Sequence, residues 1–205
     1  SVEGEDAIVD WLFLELRSRL DKDIVVATAS ALLQRDGDII SPKGDSLIVF
    51  SSAPESDFYV AIRHRNHIGM LSNIPFEFSS KNIPSLDFTN TDLTQCANLG
   101  IEMDNQNTMW AGDLNQDGKI IFQGPNNDIF HILLEVITDL ENKNFITNFV
   151  SNTYSAGDFN LDGKVVFQGP NNDRSALLFS TILLHPENVQ YISNFILEVN
   201  FDCSE

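Results

Sequence analysis

An 18-residue segment occurs twice in this chain of 205 residues. Ala111–Asp128 reads AGDLNQDGKIIFQGPNND and Ala156–Asp173 reads AGDFNLDGKVVFQGPNND, an offset of 45 with 14 of 18 positions identical. The echo continues, with one residue inserted, from Glu141–Phe149 to Glu187–Phe195. A period of this length signals stacked supersecondary units. After each copy comes an apolar stripe at helical spacing. Ile129, Leu133, Val136, Ile137 and Leu140 form the first, and Leu177, Leu178, Ile182 and Leu183 the second, with Pro186 ending it. Each repeat therefore reads as loop, helix, turn and short helix.

The chemistry lies at the start of each repeat. Asp113, Asn115 and Asp117, followed by Gly118, place oxygen ligands at positions 1, 3 and 5 of a loop that turns at position 6. Asp158, Asn160, Asp162 and Gly163 do the same in the second copy. That is the pattern with which an EF-hand-type loop wraps Ca²⁺, the backbone carbonyl of position 7 (Lys119 or Lys164) adding a ligand. All-oxygen ligands without paired His or Cys favour Ca²⁺ over zinc or copper. Position 12 is Gly124 or Gly169, which offers no side chain. Asp128 or Asp173, four residues later, is then the acid expected to close each shell; an aspartate at a helix start also serves as an N-cap without any metal. Two Ca²⁺ sites are expected, with Asn126, Asn127, Asn171 and Asn172 as further oxygen sources.

Residues 1–92 read as a β module. Leu12, Leu14 and Leu16 alternate with Val9, Trp11 and Phe13, as in a strand covered on both sides. Further strands are expected at Ile24–Leu33, Ser46–Phe50, Asp57–Arg65 and Ser85–Asn90, separated by turns such as Asp36-Gly37-Asp38. Short strands at this spacing predict an antiparallel β-sandwich. A polar connection, 93–108, leads to 109–205, which holds the repeats 111–155 and 156–202.

Charge excludes several functions. The chain has 30 acids against 12 Lys and Arg, a formal charge of −18. Nucleic acid and anionic membrane surfaces are poor partners for it. No apolar run approaches the roughly 20 residues that span a bilayer. Cys96 and Cys203 form no CxxC pair, leaving one disulfide or two free thiols open. His64 and His67 lie near Arg63 and Arg65, which disfavour a cation there, and pairing with local aspartates is the better reading. His131 and His185 have no nucleophile at a recognisable spacing, and no Gly-x-Ser-x-Gly or HExxH appears. No enzymatic activity is expected. Trp11 reads as core, and Trp110 as a packing residue beside the first loop.

The loops Asp113–Gly118 and Asp158–Gly163, each feeding a helix, resemble the duplicated calcium units of dockerins. Val9-Asp10-Trp11, Glu15-Leu16-Arg17, Leu32–Asp38 and Arg63-His64-Arg65-Asn66-His67 resemble a β module found ahead of such units in bacterial surface proteins. The loops are longer than a dockerin's, and Phe122-Gln123 and Phe167-Gln168 stand where dockerins present recognition residues, so cohesin binding does not carry over. The fold expected is a β-sandwich followed by a mainly helical, tandem EF-hand-like (dockerin-like) calcium domain. The function expected is a non-enzymatic, extracellular or cell-surface structural module, such as an adhesin, fibre subunit or anchor, binding a protein partner or itself. The other expectation is a carbohydrate-binding module of a larger secreted enzyme, which an exposed row of aromatics would favour.

Overall fold

The computed structural model describes residues 3–90, 100–103 and 106–198. Cys96 and Cys203, and with them the question of a disulfide, lie outside the described residues. The described chain divides by its contacts into two units: 3–64, 69–90, 100–103 and 106–109 in the first, and 65–68 with 110–198 in the second.

The first unit is built on β1 (Ile8–Ser18), whose alternating leucines set one face. It pairs antiparallel with β2 (Val25–Gln34) on one side and β4 (Ser56–His64) on the other. β3 (Ile39–Ile40) continues the sheet beyond β2, β5 (His67–Leu71) lies next to β4, and β6 (Phe76–Phe78) also pairs with β4. Leu12, Leu14 and Leu16 stand opposite Ala31, Ala29 and Ala27. Large beside small leaves a shallow trough on that face, and Phe50, Phe88, Ile48 and Leu86 pack into it.

The sandwich expected for 1–92 is not formed: among the described residues this face is covered by irregular chain, not by a second sheet. Ser46–Phe50 and Ser85–Asn90 were expected as strands from their apolar residues between turn clusters. They are irregular segments of which Ile48, Phe50, Leu86 and Phe88 pack onto the sheet while Leu47 and Val49 stay exposed. The opposite face of β1 departs from expectation too. Val9, Trp11 and Phe13 are 46 %, 51 % and 43 % exposed, so this side of β1 is open along residues 9–13 and Trp11 is not core. Further along that face, buried Glu15 accepts from Arg17 (Nε, 2.8 Å) and Arg63 (Nε, 3.2 Å). Buried His64 pairs with Asp10 (Nε2–Oδ2, 3.1 Å), as expected of a histidine with a local aspartate. Within the expected connection 93–108, Gly100–Met103 (β7) and Gln106–Met109 (β8) pair as a ribbon.

The second unit is not mainly helical. Its helices are α1 (Ile129–Thr138) and α2 (Asp173–Ala176), the latter continuing through 177–182 with π-type winding in which Leu183 N–H donates to Leu178 O. The short second helix expected in each repeat is absent, for a local reason. Phe145 and Tyr191 have φ of 52° and 53°, a left-handed conformation that no α-helix accommodates. Asn142, 3 % exposed, holds that bend: its Nδ2 donates to Val136 O and Ile146 O, and its Oδ1 accepts from Ile146 N–H. Asn188 repeats these bonds with Ile182 and Ile192. Asn142 and Asn188 replace a helical turn by side-chain bonds to its backbone.

Each repeat instead contributes two short strands, and they pair crosswise. β9 (Lys119–Ile121), after the first loop, pairs with β12 (Ile196–Glu198) at the end of the second repeat. β11 (Val165–Val166), after the second loop, pairs with β10 (Val150–Ser151) at the end of the first. The two repeats thus close on each other as a pair. Ile120, Ile132, Val136, Val165, Leu177, Ile182 and Leu197, all 0–2 % exposed, form the core this creates. Gln123 and Gln168 belong to the same exchange, bonding Ser193 and Thr147 of the other repeat at 3.2 and 3.1 Å. Gly112 sits at φ +138°, where an added Cβ would meet Ile120 at 2.6 Å.

Candidate metal centre

In the first loop Asp113 is 5 % exposed and Asn115 half-buried, while Asp117 faces solvent. Three side-chain bonds wind the chain around them. Gly118 N–H donates to Asp113 Oδ2 (3.2 Å), Asp117 N–H to Asn115 Oδ1 (3.0 Å) and Lys119 N–H to Asp117 Oδ1 (3.0 Å). Gly118, at φ +81°, makes the bend that position 6 requires. The second loop repeats this with Gly163 to Asp158 (3.0 Å), Asp162 to Asn160 (3.0 Å) and Lys164 to Asp162 (3.0 Å). The spacing that suggested ligand positions 1, 3 and 5 therefore does produce a turning loop with Asp, Asn and Asp along it. The backbone N–H groups of Lys119 and Lys164 close these turns.

Asp128 and Asp173 have a different first task. Both are fully buried. Asp128 accepts Leu114 N–H at Oδ1 (2.7 Å) and Ile121 N–H at Oδ2 (2.8 Å), tying loop, strand and helix start together. Asp173 accepts Phe159 and Asn160 N–H at Oδ1 (2.7 and 3.1 Å) and Val166 N–H at Oδ2 (2.7 Å). Neither caps its helix. That is done by the preceding asparagines, Asn127 accepting from Phe130 N–H (3.0 Å) and Asn172 from Ser175 N–H (2.8 Å). Asn127 and Asn172 also donate to Gly124 O and Gly169 O, both at 2.6 Å, so the GPNND segment is a self-bonded turn. Asn126 and Asn171 bind back through their carbonyls to Asn115 and Asn160 Nδ2 (3.2 and 3.1 Å).

Among the described residues no three His, Cys, Asp or Glu side chains converge closely enough to hold a metal. The six carboxylates thus do not make two ready cages, and any ion must also draw on amide and backbone oxygens. The dockerin-like and EF-hand-like helical frame is overturned by the β-rich second unit. The donor chemistry is a separate matter, and one observation bears on it: Asp113 Oδ1 is buried with no hydrogen-bond partner. Burial, with the charges of Asp128 and Asp117, pushes the Asp113 carboxyl up to about 6. Burial chiefly, and the Asp117 charge, push Asp128 up to about 6. Burial, then the Asp158 charge, raises Asp173 as well. The residues fit a hard cation: it would take the orphan Asp113 oxygen as a ligand and offset the mutual repulsion of the acids.

Reading the sequence missed Arg65 and Asn66. They form the turn between β4 and β5 and group with the second unit. Asn66 is fully buried; its carbonyl accepts Gly112 N–H (2.8 Å) and its Nδ2 donates to Ala156 O (3.2 Å) and Asp158 O (2.7 Å). One asparagine thus holds the entrance of both loops. Arg65 donates to Ser155 O, stacks on Tyr154 (4.4 Å) and places Nη2 3.9 Å from Asp158 Oδ2. Nothing in a lone Arg-Asn pair flags this; only the repeats' own need for partners does. Trp110 is 3 % exposed and stacks on His185 (4.5 Å). His185 Nδ1 accepts Glu187 N–H (3.2 Å), and burial lowers its pKa, so it is a neutral core residue. Comparison with family models, curated proteins and solved structures returns no match.

Proposed function

We propose that this chain is a non-enzymatic, calcium-stabilised structural and interaction module of the extracellular face, its second unit rigidified by Ca²⁺ at the loops 113–119 and 158–164. The observation that carries the reading is the buried, unpartnered Asp113 Oδ1 inside a loop of oxygen donors. A buried carboxylate oxygen without a donor is costly, and a bound cation removes that cost. Asp113, Asn115 and Asp117, with the carbonyl of Lys119, supply the first site. Asp158, Asn160 and Asp162, with the carbonyl of Lys164, supply the second. Asp128 and Asp173 keep a lone pair for the ion beside their bonds to the backbone. Their main role is to hold the donors in place. Ligands that exist only in the folded chain convert binding energy into stability, which suits a module working where calcium is abundant. A surface-assembly role, with a protein partner or a second copy, is the setting in which such rigidity matters. Among the described residues no helix is long and apolar enough to cross a membrane.

The test is thermal unfolding of the full chain in excess chelator and in millimolar Ca²⁺, with calorimetric titration alongside. A melting temperature raised by roughly 5–15 °C in calcium is expected, from saturation of sites that bind only the folded state. An unchanged melting temperature and no binding heat would refute the reading.

A second reading, carbohydrate binding, is favoured by one observation. Trp11 and Phe13 lie side by side on the open face of the first unit's sheet, each about half exposed. Neighbouring aromatic faces suit the apolar faces of sugar rings. Retention on an immobilised polysaccharide that Trp11→Ala abolishes, with stability unchanged, would establish it. No retention on any of a broad set of polysaccharides would remove it.

A further inference from the structure

The two loops are nearly identical in sequence, yet their first carboxylates meet different surroundings. Asp113 has one oxygen bonded, Oδ2 to Gly118 N–H, and one buried oxygen without a partner. Asp158 has both oxygens engaged: Oδ1 accepts Asp162 N–H (3.0 Å), Oδ2 accepts Gly163 N–H (3.0 Å), and Arg65 Nη2 stands 3.9 Å from Oδ2. The positions where the loops differ, Leu114/Phe159 and Gln116/Leu161, are uncharged, and the extra bond to Asp158 comes from the loop's own Asp162 N–H. The difference in charge comes from outside the repeats, from Arg65 in the Arg65-Asn66 turn. That turn approaches the repeats asymmetrically: its backbone meets Gly112 before the first loop, and its side chains reach Ser155, Ala156 and Asp158 at the second. A second cation separates the copies as well. Arg174 follows Asp173, where the first repeat has Ile129, and is held over Phe122 and Phe167 at 5.6 and 5.8 Å.

From this we propose that the two loops are unequal cation sites, 113–119 the tighter, with Arg65 setting the lower affinity of 158–164. The inference rests on the calcium reading above. Its physics is competition. A guanidinium beside the position-1 carboxylate already satisfies part of the charge a divalent ion would satisfy, and the ion must approach against a fixed positive charge. At the first loop the buried Oδ1 of Asp113 makes no hydrogen bond. The consequence is a graded response: calcium fills the first loop and closes that half, and the second fills only at higher concentration. Arg65 is an affinity-determining residue of the second site and ligates nothing itself.

Calorimetric Ca²⁺ titration of the full chain tests this. Wild type is expected to bind in two steps whose dissociation constants differ by about tenfold or more. Asp113→Asn should remove the tighter step and Asp158→Asn the weaker one. Arg65→Gln should tighten the weaker step toward the tighter one and leave the tighter unmoved, whereas Arg65→Lys, which keeps the charge, should keep the gap. Two indistinguishable sites in wild type, a tighter step that vanishes with Asp158→Asn instead of Asp113→Asn, or a folded Arg65→Gln whose weaker step does not move would each overturn the proposal. Should Arg65→Gln lose its wild-type circular dichroism, the two aspartate variants still decide which loop is tighter. No binding heat in wild type would refute the calcium reading itself and is a distinct outcome.

Discussion

Asp173→Ala is expected to destabilise the second unit by about 3–5 kcal/mol even in chelator, since it strands three backbone N–H groups. Those groups belong to Phe159, Asn160 and Val166, at 2.7, 3.1 and 2.7 Å from the carboxylate, so loop, strand and helix start lose their common acceptor together. The helix cap survives, because it comes from Asn172. The gross loss is larger than this figure. Part is returned because a buried, charge-repelled carboxylate disappears as well, burial being the chief force that raises its pKa. Asp113→Asn is the contrasting variant. Its amide oxygen still accepts Gly118 N–H, and it removes a charge that burial, Asp128 and Asp117 all oppose. In chelator at pH 7.5, above the value of about 6 to which this carboxyl is pushed, the variant should unfold at the same urea concentration as wild type or higher. The gain is on the order of 1 kcal/mol after allowance for solvent screening. In calcium it should lose most of the stabilisation that wild type gains. Urea unfolding followed by circular dichroism, with and without calcium, separates the two kinds of aspartate. If Asp173→Ala matches wild type in chelator and forfeits only the calcium increment, Asp173 is a ligand and not the brace described above.

What the sequence disclosed and what it hid follow one rule: local chemistry could be read, and pairing across the chain could not. The DxNxDG spacing fixed the turn of both loops because Asx bonds and a position-6 glycine act within a few residues. The central strands β1, β2 and β4 were readable as apolar runs bounded by turn clusters. Ser46–Phe50 misled because a short apolar run between turns can cover a sheet as irregular chain as well as form a strand. The second helix of each repeat misled because Phe145, Ile146 and Phe149 are apolar at near-helical spacing. The left-handed φ at Phe145, and the side chain of Asn142 that fixes it, leave no mark in periodicity. Asp128 was read as a ligand or an N-cap from its place before a helix. Its acceptance of Leu114 and Ile121 N–H depends on how loop and strand fold back, which is a tertiary fact. The repeat itself was the strongest signal and was read as stacked units. The structure instead pairs each copy's strand with a strand of the other, which a period alone does not determine.

Closure as a pair has the second large consequence. Leu197, 2 % exposed, lies on β12 in the second repeat, yet its register partner is Ile120 beside the first loop. Flanking it, Ile196 faces Ile121, and Glu198 pairs with Lys119 both in register and by a 3.0 Å ion pair. Leu197→Ala therefore opens a cavity against the first repeat, and about 2–5 kcal/mol is the expected loss for a buried leucine. The damage should appear at the first loop. Amide exchange at Lys119–Ile121 should accelerate, and calcium binding to Asp113–Lys119 should weaken, although every ligand of that loop is intact. Repeats stacked in a row would behave otherwise, with unfolding confined to the second repeat and exchange at 119–121 unchanged. The reciprocal change, Val150→Asp on β10, should loosen the second loop through Val166, its partner on β11. Val150 is an exposed edge position, so that effect should be the smaller of the two. Because each loop is followed at once by a strand whose partner lies in the other repeat, an ion that orders either loop also firms the other repeat's terminal strand. Two cation sites there would thereby be coupled through the backbone, and Leu197→Ala should abolish that coupling along with the stability it supports.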